Sequence, residues 1–282
     1  MAPDDWLLVT RGDAPLLVSV PHAGTEIPAE CLPRLVSPWL ARKDADWYLD
    51  RLYDFVIGLG ATLVRTAISR TVIDVNRDPS GVSLYPGQTT TALCPTETFD
   101  GEPLYLPGQE PDAADIAARR TRFFEPYHRT LAAELERLRA RHPHVVIYDG
   151  HSIRSVIPRL FTGELPQWNI GTNHGATCGA RLTEMVERHC DRSLRSRVTN
   201  GRFTGGYITR HYGRPAEGVH ALQMELACRG YLHEPAVPTP GNWPSPYVEA
   251  EAARLRVTLH AILEGAVAFA LDRAAGPATG VL

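Results

Sequence analysis

"HVVIYDGHSIRS", residues 144 to 155, decides the fold of this 282-residue chain. The apolar run "HVVIYD" is a strand, and it passes directly into Gly150, His151 and Ser152 with Arg154 close behind. In an α/β protein a histidine at the C-terminal end of a strand stands where such sheets usually place their chemistry. The flanking sequence supplies the rest of the sheet. Upstream, residues 111 to 143 form a long helical region, expected to be kinked or divided near Pro126 because proline removes a backbone donor. Downstream come a helix around "GARLTEMVERHC" (179–190), an expected strand "FTGGYITRHY" (203–212), a strand "VHALQMELA" (219–227) and a final helix from about Tyr247 to Ala274.

The N-terminal part has the same rhythm. "PLLVSV" (15–20) is a short apolar strand ending at "PHAG". "KDADWYLDRLYDFVIGLG" (43–60) spaces Trp47, Leu52, Phe55, Val56 and Leu59 as a helix does, opens on aspartates and stops at Gly58 and Gly60. "ATLVRTAIS" (61–69) and "TVIDVN" (71–76) are expected strands. Strand, helix, strand is the order of a sheet covered by helices. Residues 80 to 111, rich in Pro, Gly and Thr, are too long for a simple connection; loops of this length either shape a site or are disordered.

The composition, 44% hydrophobic and 22% charged, suits one soluble domain spanning 1–282. The net charge of −3 arises from interspersed signs, which argues against a nucleic-acid partner and for a small-molecule one. Five dispersed cysteines without a C-x-x-C pair fit reduced thiols rather than a disulfide framework. The N-terminus lacks the features of a signal peptide, and "AILEGAVAFAL" is interrupted by Glu264, so no membrane span and a cytoplasmic location are expected. Oligomeric state leaves no mark on the sequence.

Three groups of residues can carry chemistry. His22, Asp46 and His151 are two imidazoles and a carboxylate at strand ends or a helix start, which with water in a fourth position is the ligand set of a catalytic zinc site. Their spacing does not itself bring them together, and Asp46 or Asp44 serves equally well as a helix N-cap. Arg70, Asp74, Asn76 and Arg77 lie in "SRTVIDVNRD" (69–78), where Asn76 and Arg77 suit an anionic substrate; pairing of Arg77 with Asp74 or Asp78 is the alternative. Glu225 sits among Leu222, Met224 and Leu226, and a carboxylate in such a strand needs a partner or a function, unless its polar face meets solvent. Alternation places Gln223 and Glu225 on one face, where Glu225 could act as a general base.

Four motifs in order, "SVPHAG", "SRTVIDVNRD", "DGHSIRS" and "GGYITRHYG…HALQMELA", together resemble the N-formylglutamate amidohydrolase (N-formylglutamate deformylase) family from about residue 7 to 234. The resemblance implies a three-layer α/β fold like that of zinc carboxypeptidases and aspartoacylase, a mixed central sheet with helices on both faces. It implies His22 and His151 as ligands of a divalent metal, most simply zinc, completed by an acidic residue of 43–55; Asp46 is taken over Asp44. The compact H-x-x-E of carboxypeptidases is absent, since Glu26 stands four residues after His22. Glu225 becomes the general base by analogy. Asn76 and Arg77 become substrate anchors, with Arg70, Arg154 and Arg210 as further candidates for a substrate bearing two carboxylates. The implied reaction is hydrolysis of N-formyl-L-glutamate to formate and L-glutamate, the last step of one route of histidine degradation. A hydrolase of another N-acyl acidic amino acid, a carboxypeptidase-like peptidase, and a metal-free binding protein for acidic amino acids stay open as alternatives.

Overall fold

The computed structural model describes residues 5–82, 84, 87 and 90–272. In chain order the elements are β1 (Leu7–Thr10), β2 (Leu16–Val20), α1 (Leu40–Lys43), α2 (Leu49–Leu52), β3 (Thr62–Thr66), α3 (Ala113–Arg119), α4 (Glu125–Arg139), β4 (Val145–Ile153), β5 (Trp168–Gly171), α5 (Ala180–Arg192), β6 (Arg197–Thr199), α6 (Tyr207–Tyr212), β7 (Val219–Ala227) and α7 (Glu249–Leu271). The seven strands form one sheet in the order β1-β3-β2-β4-β7-β5-β6. The four central strands, β3, β2, β4 and β7, are parallel, whereas β1 pairs antiparallel with β3 and β5 antiparallel with β7.

The apolar run that suggested a central strand is buried on both faces for a physical reason. Val146 and Tyr148 of β4, with Leu16, Val18, Leu222 and Met224 of its neighbours, face α5 and α7, which contribute Leu182, Val186, Leu255, Leu259, Ile262 and Ala266. Val145 and Ile147, with Leu17 and Ala221, face α4 and its Tyr127, Leu131 and Leu138. The period of two thus divides each strand between two cores, and the three-layer arrangement with helices on both faces follows.

Three expectations change. The segment 43–60 is not one helix: α1 ends at Lys43, and Tyr48 takes the left-handed region at φ 58 before α2 and a 3-10 turn over Asp54–Leu59. A side chain in that region costs roughly 1–2 kcal/mol, and here it accompanies a break that leaves Asp46 outside any helix. "TVIDVN" is not a strand. Val72, Ile73 and Val75 are apolar because the segment is buried, yet its backbone turns about Asp74, whose Oδ1 accepts the Asn76 N–H at 2.9 Å. "FTGGYITRHY" carries α6 in place of a strand; Tyr, Ile and Thr gave it strand character, but its first two amides are bonded by the carbonyl and side chain of Asn76, far away in sequence. The expected division near Pro126 takes the form of a π-helical stretch, Arg120–Phe124, immediately before α4. Short strands β1, β5 and β6 were not anticipated, and the last residues of the expected final helix, 273 and 274, lie outside the described residues.

Candidate metal centre and pocket

His22 stands two residues beyond the end of β2, on the sheet edge where β2, β4 and β7 all finish. Its carbonyl accepts the Asp46 N–H at 3.0 Å, so the break between α1 and α2 delivers Asp46 beside it. His151 of β4 completes the group, and one ligand atom from each of His22, Asp46 and His151 lies within 4.8 Å of the others. All three are buried. Asp44, the alternative to Asp46, is turned away: its Oδ2 accepts the Phe99 amide at 2.6 Å.

Each imidazole is held from behind by a carboxylate. His22 Nε2 lies 2.7 Å from Asp74 Oδ1, and His151 Nε2 lies 3.0 Å from Asp149 Oδ2. With the proton on Nε2 in both rings, both Nδ1 lone pairs are directed to the centre; His151 Nδ1 is 3.2 Å and His22 Nδ1 3.9 Å from Asp46 Oδ2. Such pairing sets the tautomer and raises the basicity of a metal-ligating histidine. The residues fit an ion. His22 Nδ1 and Asp46 Oδ1 are buried without a hydrogen-bond partner among the described residues, a costly state that a cation between them would relieve. Burial, with Arg70 adding to it, lowers the His22 pKa and keeps the ring neutral. Burial also opposes charge on His151, but Asp149 and Asp46 outweigh it and raise its pKa well above the usual value in the metal-free protein.

Asn76 braces this frame. Its Nδ2 donates to Asp149 Oδ2 at 2.8 Å, the carboxylate that backs His151, and its Oδ1 accepts the Ile208 N–H of α6 at 2.8 Å. Gly206 at the start of α6 must be glycine: a Cβ there would lie 2.6 Å from Asn76 Nδ2. Gly206→Ala is therefore expected to destabilise the fold by about 1–3 kcal/mol, read as a lowered urea midpoint with unchanged slope; an unchanged midpoint would mean that Asn76 is free to move. His128 of α4, overlooked in the sequence, supports the same segment through the Val75 carbonyl at 2.8 Å.

Glu225 of β7 pairs in register with His151 of β4, so both side chains leave the same face of adjacent parallel strands. Gln223 Nε2 donates to Glu225 Oε2 at 3.1 Å, and Gln223 Oε1 accepts the Gly206 amide at 2.7 Å. Burial pushes the Glu225 carboxyl up to about 7, against the opposing pull of His151. The pocket in front holds about 570 Å³ of empty space, part of it open to solvent, and its lining includes Arg70, Arg77 and Arg202 together with Phe99, Ile153, Leu160 and Phe203.

The arginine expectations divide. Arg70 is buried and bonded to Asp74 Oδ2 at 2.7 Å, with Nη1 4.0 Å from Asp46 Oδ1. Arg77 lines the pocket, but it also donates to Thr91 Oγ1 at 3.1 Å and lies 3.6 Å from Asp74 Oδ2, the pairing the sequence left as the alternative. Arg154 and Arg210 are not among the lining residues; Arg154 pairs with Asp100 at 2.7 Å, and Arg210 donates to the Gly205 carbonyl and Thr204 Oγ1 at 2.8 Å. Asn76 also lines the pocket, but its amide is committed to Asp149 and α6. Arg202 takes a place that sequence reasoning missed, because nothing in "NGRFTGG" distinguishes it from a surface arginine.

A parallel-centred sheet gathering two carboxylate-backed imidazoles, an aspartate and a buried glutamate at its strand ends defines the class: an α/β enzyme with a centre able to hold a divalent ion. The family model of N-formylglutamate amidohydrolase matches residues 14–232, and the chain belongs to that family. It is 43% identical to an N-formylglutamate deformylase of Pseudomonas aeruginosa over 261 residues, 92% of this chain and 97% of that protein. To the N-formylglutamate deformylase of Pseudomonas putida it is 41% identical over 271 residues, 96% and 98% of the two chains. The crystal structure of an N-formylglutamate amidohydrolase from Ralstonia eutropha JMP134 has the same fold, with a TM-score of 0.77 at 24% identity over 93% of this chain and 98% of that one. All five cysteines are buried and free, and no helix among the described residues is long and apolar enough to cross a membrane.

Proposed function

We propose that the chain hydrolyses the amide of N-formyl-L-glutamate to formate and L-glutamate, with His22, Asp46 and His151 holding a zinc ion. The observation that carries the reading is the buried cluster in which each imidazole has one nitrogen on a carboxylate and the other directed to a shared centre, beside Glu225. When bound, the ion supplies Lewis acidity, which lowers the pKa of a coordinated water to about 7. Glu225 accepts the proton of the attacking water and delivers it to the nitrogen as the C–N bond breaks, so formate and the free amine leave. Arg70, facing Asp46, stabilises negative charge developing on the carbonyl oxygen. Arg77 and Arg202 are assigned the two substrate carboxylates, a planar fork for each. Asn76, Asp74 and Asp149 position the histidines.

The test is glutamate release from N-formyl-L-glutamate by the purified protein before chelation, after it and after zinc is returned. Cleavage lost on chelation and restored by zinc is expected. Cleavage undiminished in protein shown to be metal-free would remove the metal from the proposal, and no cleavage of a zinc-loaded protein would remove the substrate.

A further inference from the structure

Beside the centre, Lys43 and Arg154 are buried and have no task in the chemistry above. The Lys43 side chain is 3% exposed and pairs with Asp100 at 2.6 Å and with Glu102. Arg154 pairs with the same Asp100 and stands 3.5 Å from Asp44 Oδ1. A buried cation costs free energy unless it is paired, so Lys43 and Arg154 hold the segment that carries their more exposed partners Asp100 and Glu102. That segment is the turn 98–102, closed by the Thr98 N–H on the Glu102 carbonyl at 2.9 Å and by Thr98 Oγ1 on Glu102 Oε2 at 2.9 Å. Phe99 follows its first residue, with its amide on Asp44 Oδ2.

The Phe99 ring is therefore fixed from both ends. It packs with Ile153, Ile157, Leu165 and Phe203 on one side, and the Arg70 guanidinium lies over it, 4.8 Å from the ring centroid. Arg70 in turn faces Asp46 of the centre. Phe99 lines the same pocket as His22, His151 and Glu225, and a wall discriminates against an added methyl group only if it cannot retreat.

We infer that Phe99 is the surface against which the acyl group of the substrate rests, admitting a formyl hydrogen and refusing a larger acyl group. Lys43, Asp44, Asp100, Glu102 and Arg154 are positioning residues for it. This rests on the deformylase reading and deepens it.

The experiment compares kcat/KM for N-formyl- and N-acetyl-L-glutamate in the zinc-loaded parent and in Phe99→Ala, Phe99→Leu and Arg154→Met, with urea unfolding and bound metal measured on each. The parent is expected to favour formyl strongly, and Phe99→Ala to raise the acetyl-to-formyl ratio by about tenfold or more, the scale of one methyl group in a packed site. Phe99→Leu shifts it less and carries the test if the alanine variant does not fold. Arg154→Met moves the ratio in the same direction, and adding it to Phe99→Ala moves the ratio no further, because no ring is left to position. The ratio is the decisive readout, since general loss of structure lowers both rates together. A parent that cleaves both substrates equally, or a ratio unmoved in both Phe99 variants while the parent remains an active deformylase, overturns the inference alone. Equal loss on both substrates in Arg154→Met removes the positioning part. A zinc-loaded parent inert on both substrates overturns the deformylase reading and this inference with it.

Discussion

Glu225→Gln is expected to lower kcat on N-formyl-L-glutamate by about 10²–10⁴-fold, the usual contribution of a positioned general acid or base, while bound metal and KM stay near the parental values. The substitution is nearly isosteric. Gln223 Nε2 now donates to Glu225 Oε2, and a glutamine oxygen can accept the same bond, so the side chain keeps its place. What disappears is the ability to take a proton from water and return it to nitrogen. The register of β7 against β4 leaves no second carboxylate in that position: Asp149, two residues before His151, pairs with Gln223 and is occupied by His151 and Asn76. Parental kcat in Glu225→Gln, measured by formate or glutamate release at saturating substrate, would move the base elsewhere. Loss of metal along with activity would instead make Glu225 a ligand.

His151→Ala is expected to abolish metal binding and, separately, to destabilise the fold by about 3–5 kcal/mol. The ring lies between Asp46 Oδ2 at 3.2 Å and Asp149 Oδ2 at 3.0 Å, and both carboxylates are buried. Removing it leaves two buried negative charges with fewer partners, the circumstance in which breaking a buried pair is most costly. Elemental analysis reports the first effect and urea unfolding the second. Asp44→Asn is the contrasting variant: its side chain serves Phe99 and Arg154 rather than the centre, so it should retain its metal. Metal kept by His151→Ala and lost by Asp44→Asn would transfer the third ligand to Asp44 and dismantle the centre as described.

What the sequence disclosed depended on whether a signal was local. The strands β2, β4 and β7 were legible because runs of apolar residues buried between two layers look the same in any context, and α5 and α7 because their apolar stripes repeat at helical spacing. His22, His151 and Glu225 stand out in the sequence because each ends or interrupts such a strand, and the structure brings them to one end of the sheet. Segments whose conformation is set from outside were misread. Residues 71 to 76 are apolar but wrap around Asp74, and α6 receives its first bonds from Asn76, 132 residues from Ile208. Arg154 and Arg210 read as substrate anchors in the sequence, where an arginine near a motif is equally compatible with a ligand or a neighbouring carboxylate. Only the positions of Asp100 and of the Gly205 carbonyl distinguish the two.

The strand order carries a consequence for how the molecule is made. β7 lies between β4 and β5 although it follows both in the chain. Until residues 219–227 have emerged from the ribosome, the sheet exists at most as two pieces, β1-β3-β2-β4 and β5-β6. Each piece would present an apolar strand edge, the kind of surface on which nascent chains aggregate. Strand β7 closes both edges in one step and is also the strand that brings Glu225. A chain interrupted before residue 219 can have His22, Asp46 and His151 but no β7, so it should be insoluble and inert together: the event that removes the sticky edges is the same event that brings Glu225 beside them.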